Sequence, residues 1–202
     1  MYKVFVENLP VIFTQNSENY PHSVKVEVSK FHDINAIVRM NSSMITDLDP
    51  LLVHCEELES DFNHLFQDYQ RVVAAGGVVS QFGEVLMIRK NGFWDLPKGI
   101  VDFDEATTQT AYREISEECG ITGHTLEWKL HDTWHTYFYL DRPVLKQTHW
   151  FVFNYSGTKF TKPQREEGIT DAVWMSKNQL KNVLNECYGS VRDVLEKFWD
   201  NT

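Results

Sequence analysis

A cluster of carboxylates in one short segment constrains this chain of 202 residues more than any other feature of its sequence. Residues 105–119 predict a helix that begins near Asp104, a residue type favoured at the N-cap. Glu114, Glu117 and Glu118 then lie on one face, because positions i, i+3 and i+4 are neighbours on a helix. Like charges at this spacing destabilise an isolated helix by roughly 0.2–0.5 kcal/mol per pair. The segment is therefore either a solvated face or a place where a positively charged ligand binds.

The residues around this helix follow a fixed spacing. Five residues separate Gly99 from Glu105 and seven more precede Arg113, which opens the run Arg-Glu-Ile-x-Glu-Glu-x-Gly-Ile. This pattern resembles the Nudix box, the sequence signature of the Nudix hydrolase family, at every fixed position. With each residue type at roughly 5–7% average usage, a chance match at one start point is on the order of 10⁻⁸. The spacing therefore favours a ligand site over a solvated face.

The resemblance extends beyond the box to about residues 71–186. The segments AAGGVV (74–79) and DAVWMS (171–176) resemble the first and last core strands of the family, and WDLPKG (94–99) resembles its approach to the box. The resemblance implies an α+β fold class, an α/β/α sandwich around a mixed sheet, for a Nudix domain at 71–202. It also implies Mg²⁺-dependent cleavage, with Mn²⁺ as the alternative ion, of a nucleoside diphosphate linked to another group.

Site residues follow from the resemblance position by position. It implies four metal ligands, namely the backbone carbonyl of Gly99 and the carboxylates of Glu114, Glu117 and Glu118. Hard cations such as Mg²⁺ prefer such oxygen donors, and without an ion we expect mutual repulsion to raise the pKa values of these carboxyl groups. Glu105 and Arg113 match positions that pair to hold the loop against the helix, which is a structural role. Lys98 is expected to meet a phosphate oxygen, although a solvated loop lysine is the alternative.

The reaction expected from the resemblance is attack of water on phosphorus, which requires a general base. The expected catalytic residues are the three glutamates of the helix and Glu167 of a later loop. The base itself stays open at this point: Glu118, Glu114 and the loop pair Glu166–Glu167 are all candidates. A loop carboxylate is more often simply solvated.

Substrate specificity must come from outside the box. Residues 135–153 interleave aromatic side chains with Arg142 and Lys146, which are expected to hold additional phosphates. This combination resembles the branch of the family that hydrolyses diadenosine polyphosphates and diphosphoinositol polyphosphates. Trp134, Tyr137 and Trp150 either stack on a nucleotide base or belong to the core, as alternating aromatic residues in paired strands usually do.

Residues 1–70 predict a small α+β module in front of the Nudix domain. A hairpin over residues 2–14, a strand over 24–29 and helices over 31–40 and 56–70 account for most of it. The module has no clustered polar chemistry. Its role is therefore unknown from the sequence, with packing or the formation of a homodimer favoured.

Composition limits the class of partner. Nineteen Lys and Arg against 29 Asp and Glu give a net charge of −10, which argues against binding of long nucleic acids but not against a small phosphorylated substrate. We find no apolar run of membrane-spanning length and no signal-peptide pattern. The three cysteines form neither a zinc pattern nor a disulfide framework. These features predict a soluble, cytoplasmic protein with no membrane partner.

Two other functions stay open from the sequence. One is a noncatalytic sensor that reuses the Nudix fold, although such proteins usually lack some of the box carboxylates and this chain has all of them. The other is a hydrolase that acts on the 5′ ends of RNA, for which the net negative charge disfavours a long RNA but not a 5′ end alone.

Overall fold

The chain divides into two compact units. A computed structural model describes residues 1–16, 18, 20–27 and 33–202. The first unit contains Met1–Val72 and Thr133–Gln147, and the second contains Val73–Asp132 and Thr148–Thr202. Residues 133–147, which the sequence assigns to the Nudix domain, thus belong to the first unit. The division into separate domains at 1–70 and 71–202 stays a prediction.

The helices and strands are numbered in chain order. They are β1 (Tyr2–Val6), β2 (Leu9–Thr14), β3 (Lys25–Glu27), α1 (Ile34–Asn41), β4 (Leu51–His54), α2 (Leu58–Leu65), β5 (Gln70–Gln81), β6 (Glu84–Lys90), β7 (Phe93–Asp95), β8 (Lys98–Ile100), α3 (Thr107–Cys119), β9 (Thr125–Lys129), β10 (Thr133–Tyr139), β11 (Arg142–Asn154), β12 (Ile169–Ser176), α4 (Lys177–Val183) and α5 (Gly189–Asp200). The strand predicted over 24–29 and the helix predicted over 31–40 lie partly outside the described residues.

The first unit packs two helices on a mixed sheet. Its strand order is β10-β1-β2-β4-β3, with β1 antiparallel to β2 and the other three pairs parallel. Aromatic rings dominate the core: Phe62 stacks on Tyr2 at 4.1 Å between ring centroids and meets Phe13 and Phe66 at 5.3 and 4.9 Å. Helix α1 is capped by Asp33, whose carboxylate accepts the amide N–H of Asn35 at 2.9 Å.

The second unit covers both faces of a sheet with helices. Its central strands run in the order β12-β6-β5-β11, with β7 on β6, β8 on β5 and β9 on β11. Helix α3 packs on one face through Ala111 and Ile115, while α4 and α5 pack on the other through Leu180 and Val194. The expected α+β class, with a mixed sheet and helices, is confirmed.

Helix α3 begins two residues later than the sequence indicates. Asp104 has φ +61°, a left-handed conformation that belongs to the preceding turn, so it is not the N-cap. The amide N–H of Ala106 instead donates to the side-chain oxygen of Gln109 at 3.0 Å. The helix ends as expected at Gly120, which takes a left-handed conformation at φ +69°.

In the part of the chain that the structure describes, we find no helix with the length and apolar character needed to cross a membrane.

Candidate active site

Strand β8 passes directly beneath one of the predicted ligands. Gly99 pairs with Ala75 of β5, and a Cβ atom added at Gly99 would lie 2.0 Å from the carboxyl carbon of Glu114. No side chain fits in that space. Glycine therefore brings the backbone of β8 and the carboxylate of Glu114 together, which is the approach expected if both supply oxygen donors to one ion.

Arg113 organises the first half of the site. Its Nε and Nη2 donate to the two carboxylate oxygens of Glu105 at 3.0 and 2.9 Å, which ties the loop before α3 to the helix. Its Nη1 donates to Glu114 at 2.5 Å and to Glu117 at 3.1 Å. A single guanidinium thus contacts three carboxylates, and this pairing reduces the repulsion that the helix face would otherwise suffer.

These contacts set the ionisation of the acidic groups. Hydrogen bonds from Arg113 and Thr110 lower the pKa of Glu105 to about 2. Burial raises the pKa of Glu114, and Arg113 offsets part of that increase. Repulsion from the neighbouring glutamates is a smaller contribution for Glu114 than burial is, so the expected cause of the shift is corrected.

Glu118 lies at the centre of the second half of the site. Its side chain is fully buried, and its two oxygens accept hydrogen bonds from Lys90 Nζ at 2.9 Å and from the backbone N–H of Lys98 at 2.8 Å. Lys90 Nζ also lies 3.0 Å from Glu167 Oε2. Burial raises the pKa of Glu118, and the two lysines offset part of the increase. Burial disfavours the charge of Lys90, but Glu118 and Glu167 outweigh it and raise its pKa.

Lys98 makes a contact that the sequence did not suggest. Its Nζ lies 2.6 Å from Asp95 Oδ2, and both side chains are largely buried. Burial opposes the charge of Lys98, yet Asp95 and Glu118 together raise its pKa. The side chain is thus neither a solvated loop lysine nor free of a partner in the described structure, and its contact with a phosphate stays a prediction.

The loop that carries Glu166 and Glu167 is attached to the end of helix α3. The amide N–H of Lys162 donates to the carbonyl of Cys119 at 2.8 Å, and that of Gln164 donates to the carbonyl of Glu118 at 3.2 Å. This attachment brings Glu167 to Lys90, which also contacts Glu118 of the helix. Glu166 is exposed. The geometry therefore distinguishes two adjacent glutamates that the sequence treats as a pair.

The residues predicted to contact the substrate are divided between the two units. Arg142 and Lys146 belong to the first unit, so their role stays a prediction. Trp134 packs edge-on against Tyr2 and Phe62 in the core of that unit. Trp150 is 1% exposed and lies in the core of the second unit. A stacking role for Trp150 is therefore wrong, because its ring has no accessible face.

Two site residues, Lys90 and Asp95, were missed by sequence reasoning. Both lie outside the box, at the ends of β6 and β7. Lys90 reaches Glu118 of the box only through the fold, whereas Asp95 contacts Lys98, three residues further along the chain. A signal was present in the hairpin that joins β6 to β7, because its register places Ile88 opposite Asp95 and Lys90 opposite Phe93. Residues opposite each other in an antiparallel pair point to the same face of the sheet.

The oxygen donors suit a hard divalent cation, although they are not gathered around one point. Among the described residues, no group of three His, Cys, Asp or Glu side chains is placed to hold a metal ion. The carboxylates of the helix are instead paired with Arg113 and Lys90. Their chemistry and the close approach of the Gly99 backbone to Glu114 nevertheless fit Mg²⁺ or Mn²⁺, with these two cationic side chains as the present counter-ions.

A surface cavity lies elsewhere in the second unit. It has a volume of about 450 Å³ and is lined by Trp128, Lys129, Leu130, His131, Lys197 and Asn201. None of these residues takes part in the carboxylate network. The buried charges, rather than the shape of the surface, locate the candidate active site.

The protein is of the α+β class, and its candidate site is a cluster of buried carboxylates paired with lysine and arginine side chains. Residues 70–196 match the family model of the NUDIX domain. The chain therefore belongs to the Nudix family, and the resemblance found in the sequence is confirmed.

Relatives support the same family. A Mycobacterium tuberculosis protein named MutT4 is 31% identical over 128 residues, which is 62% of this chain and 46% of that protein. The chain thus spans about half the length of this curated relative.

Solved structures support the fold. The E. coli dihydroneopterin triphosphate pyrophosphohydrolase has a TM-score of 0.54 at 21% identity, over 66% of this chain and 99% of that one. A bifunctional NMN adenylyltransferase/ADP ribose pyrophosphatase from Francisella tularensis, solved with AMP and a Mn ion, has a TM-score of 0.50 at 16% identity, over 83% of this chain and 52% of that one. At these identities the likeness concerns the fold alone.

Proposed function

We propose that this chain is a Mg²⁺-dependent pyrophosphohydrolase that cleaves a nucleoside diphosphate linked to another group, such as a dinucleoside polyphosphate, by attack of water on phosphorus. The observation that carries the proposal is the burial of Glu114 and Glu118 on one helix, with the backbone of Gly99 against Glu114. Carboxylates are seldom buried in proteins, and buried groups with shifted pKa values cluster at functional sites.

In this proposal some residues of the chain bind the ion or the phosphate groups, and another accepts a proton from water. Glu114, Glu117, Glu118 and the carbonyl of Gly99 would hold the ion. When bound, such an ion neutralises phosphate charge and lowers the pKa of a bound water molecule. Arg113 holds Glu114 and Glu117 in position, while Glu105 holds Arg113. Lys90 has a flexible stem and can exchange its carboxylate partners for phosphate oxygens.

Glu167 is our candidate for the general base. It is half-exposed, whereas Glu118 is fully buried, so Glu167 can reach a water molecule and exchange its proton with solvent. Its contact with Lys90, which also contacts Glu118, supports this role. The glutamates of the helix remain the alternative, because a ligand carboxylate can also accept a proton.

The test of the activity is a substrate panel assayed with Mg²⁺ present and removed. The panel contains diadenosine tetraphosphate, ADP-ribose, an oxidised guanine nucleotide, a diphosphoinositol polyphosphate and a short capped oligonucleotide. We expect Glu118→Gln to lose roughly 10²-fold or more in activity, since one preorganised electrostatic contact commonly contributes that much. Glu127→Gln, on the exposed strand β9, is the matched control and should keep the wild-type rate.

Equal activity of wild type and Glu118→Gln would refute the catalytic assignment. Binding of a substrate without turnover in either ion would favour the noncatalytic sensor instead. Preference for the capped oligonucleotide over the free dinucleotide would move the substrate to RNA 5′ ends. Hydrolysis in ¹⁸O-labelled water should place the label in one phosphate product, as attack on phosphorus requires.

The general base has its own test in two adjacent residues. Glu167→Gln should lower the turnover number by roughly 10²-fold, a typical contribution of general base catalysis. Glu166→Gln, one residue earlier, should leave it unchanged. If both variants turn over like the wild type, the proton is accepted by a glutamate of the helix.

A further inference from the structure

Two aromatic side chains form an exposed stacked pair in the second unit. The ring centroids of Phe93, at the start of β7, and Tyr188, which precedes α5, lie 4.9 Å apart with 29° between the ring planes. Phe93 is 43% exposed and Tyr188 is 36% exposed. The pair is therefore preorganised by its own contact and keeps apolar ring surface open to solvent.

The register of the sheet places this pair beside the carboxylate site. Phe93 lies directly opposite Lys90 in the antiparallel pair of β6 and β7. The Cβ atoms of such opposite residues are about 4.5–5.5 Å apart and point to the same face. Lys90 in turn contacts Glu118 and Glu167. Phe93 of the aromatic pair is thus one strand spacing away from Lys90, the lysine that contacts the two carboxylates.

The next residues of β7 fix the orientation of Phe93. Trp94 points to the opposite face, into the core beneath α5, and forms a bridge with Cys187. Asp95 returns to the face of Phe93 and contacts Lys98. Tyr188 lies in the field of the same groups: burial raises its pKa, Asp95 raises it further, and Lys98 lowers it. Phe93 and Tyr188 therefore face the side on which the lysines and carboxylates converge.

The neighbouring charges determine which ligand suits the rings. A ligand that spans both features needs a planar, polarisable group for the rings and an anionic group for Lys90. We propose that Phe93 and Tyr188 form a stacking platform for the heterocyclic base of a nucleoside phosphate, with its phosphate groups at Lys90 and the glutamates of α3. This inference rests on the proposed function and extends it to the base of the substrate. Every base has a π-face, so the platform contributes affinity with little preference among bases.

The experiment compares two nonhydrolysable probes that differ by one nucleoside. Titration calorimetry of the full chain with Mg²⁺ measures the affinities of α,β-methylene-ADP and of methylenediphosphonate, which lacks the adenosine. We expect Phe93→Leu and Tyr188→Leu each to weaken the binding of α,β-methylene-ADP by roughly five- to hundredfold, because each variant loses one stacking contact. Both variants should bind methylenediphosphonate like the wild type. Leucine keeps apolar bulk but removes the ring face.

The controls separate stacking from packing. Phe82→Leu removes an 88% exposed ring at the turn between β5 and β6 and should change neither affinity. Phe93→Trp should retain binding of α,β-methylene-ADP, because tryptophan also offers a π-face.

Three results would overturn the inference. If both probes weaken equally in Phe93→Leu, or if α,β-methylene-ADP binds as in the wild type, the pair serves only to pack β7 against the start of α5. If the wild type does not bind methylenediphosphonate at all, the proposed phosphate site is refuted and the stacking platform with it. The first two results refute the platform alone, so failure of the platform and failure of the proposed function can be told apart.

Discussion

The two units of the chain treat charged side chains differently. Among its described residues, the first unit buries no Asp, Glu, Lys or Arg, and its core consists of aliphatic and aromatic groups. The second unit buries Asp95, Glu114 and Glu118 and surrounds them with Lys90, Lys98 and Arg113. Burying an ion costs several kcal/mol unless it is paired. The difference indicates that the first unit is built for packing and that the second accepts an energetic cost for its chemistry.

The largest effect should come from breaking the core of the first unit. Phe62 is 2% exposed and contacts four aromatic rings, so we expect Phe62→Ala to lower the free energy of unfolding by about 3–5 kcal/mol. Urea unfolding measures the change. Phe82→Ala, which removes an exposed ring, should change the free energy by less than about 0.5 kcal/mol. A loss below about 1 kcal/mol for Phe62→Ala would contradict the comparison.

A buried histidine in the second unit should make stability depend on pH. His124 is 2% exposed, stacks on Tyr112 at 4.0 Å and meets Phe153 at 5.1 Å. Burial lowers its pKa to about 4. Because this value lies below the ordinary value of about 6.5, the unfolded chain takes up the proton first as the pH falls. Stability is therefore lost between about pH 6.5 and 4, with a total of about 3 kcal/mol.

The measurement compares unfolding free energies of wild type and His124→Phe at several pH values between 7 and 4. The variant should lack the loss of about 3 kcal/mol that this imidazole causes. His54→Phe, at an exposed position, should keep the wild-type pH dependence. Parallel curves for wild type and His124→Phe would show that the buried imidazole does not control acid stability.

Two glycines sharpen the comparison between packing and chemistry within the second unit. A Cβ at Gly99 would meet the carboxylate of Glu114 at 2.0 Å, whereas one at Gly77 would meet the Ile115 side chain at 2.7 Å and the Phe153 ring at 2.8 Å. Gly99→Ala should displace Glu114, a proposed metal ligand, and weaken Mn²⁺ binding by roughly 10–100-fold. Gly77→Ala should instead cost about 1–3 kcal/mol of stability through overpacking.

Calorimetric titration with Mn²⁺ and urea unfolding of both glycine variants measure the two quantities. We expect Gly99→Ala to lose affinity for Mn²⁺ and Gly77→Ala to lose stability. If Gly99→Ala binds Mn²⁺ like the wild type, the close approach of Glu114 to the backbone of β8 is not needed for the ion.

The smallest predicted effect concerns Lys90. Its ammonium group lies between Glu118 and Glu167, where it competes with any incoming cation. Removing one unit charge at such a distance changes the energy by about 1 kcal/mol in water, so Lys90→Met should bind Mn²⁺ roughly fivefold more tightly at pH 8. Lys159→Met, which breaks the surface ion pair with Glu84, should not change the affinity. Weaker binding by Lys90→Met would show that the lysine supports the ion site instead of competing with it.

The acidic residues of the box could be predicted from the sequence because they are close together in the chain. Glu114, Glu117 and Glu118 lie within five residues, and the period of the helix alone places them on one face. The spacing from Gly99 to Ile121 identified the family, which the NUDIX match over residues 70–196 confirms. The helix start was missed by two residues, since the left-handed turn at Asp104 is set by the loop rather than by capping preference.

The remainder of the site depends on contacts between distant parts of the chain. Lys90 is 28 residues from Glu118 in sequence, and Glu167 is 77 residues from Lys90. No local period links such positions. The same reason explains why Trp150 was a candidate for stacking although it is buried, and why the aromatic partner of Phe93 was not recognised.

The sequence by itself thus determined the family, the α+β class and the identity of the acidic residues, because these depend on residue types at short, regular spacing. Only the tertiary structure decided which cations hold those acids and which of the two loop glutamates reaches them. It also decided which aromatic rings remain exposed. Pairing and burial depend on the folded arrangement of strands and loops, and burial is what raises the pKa values of Glu114 and Glu118.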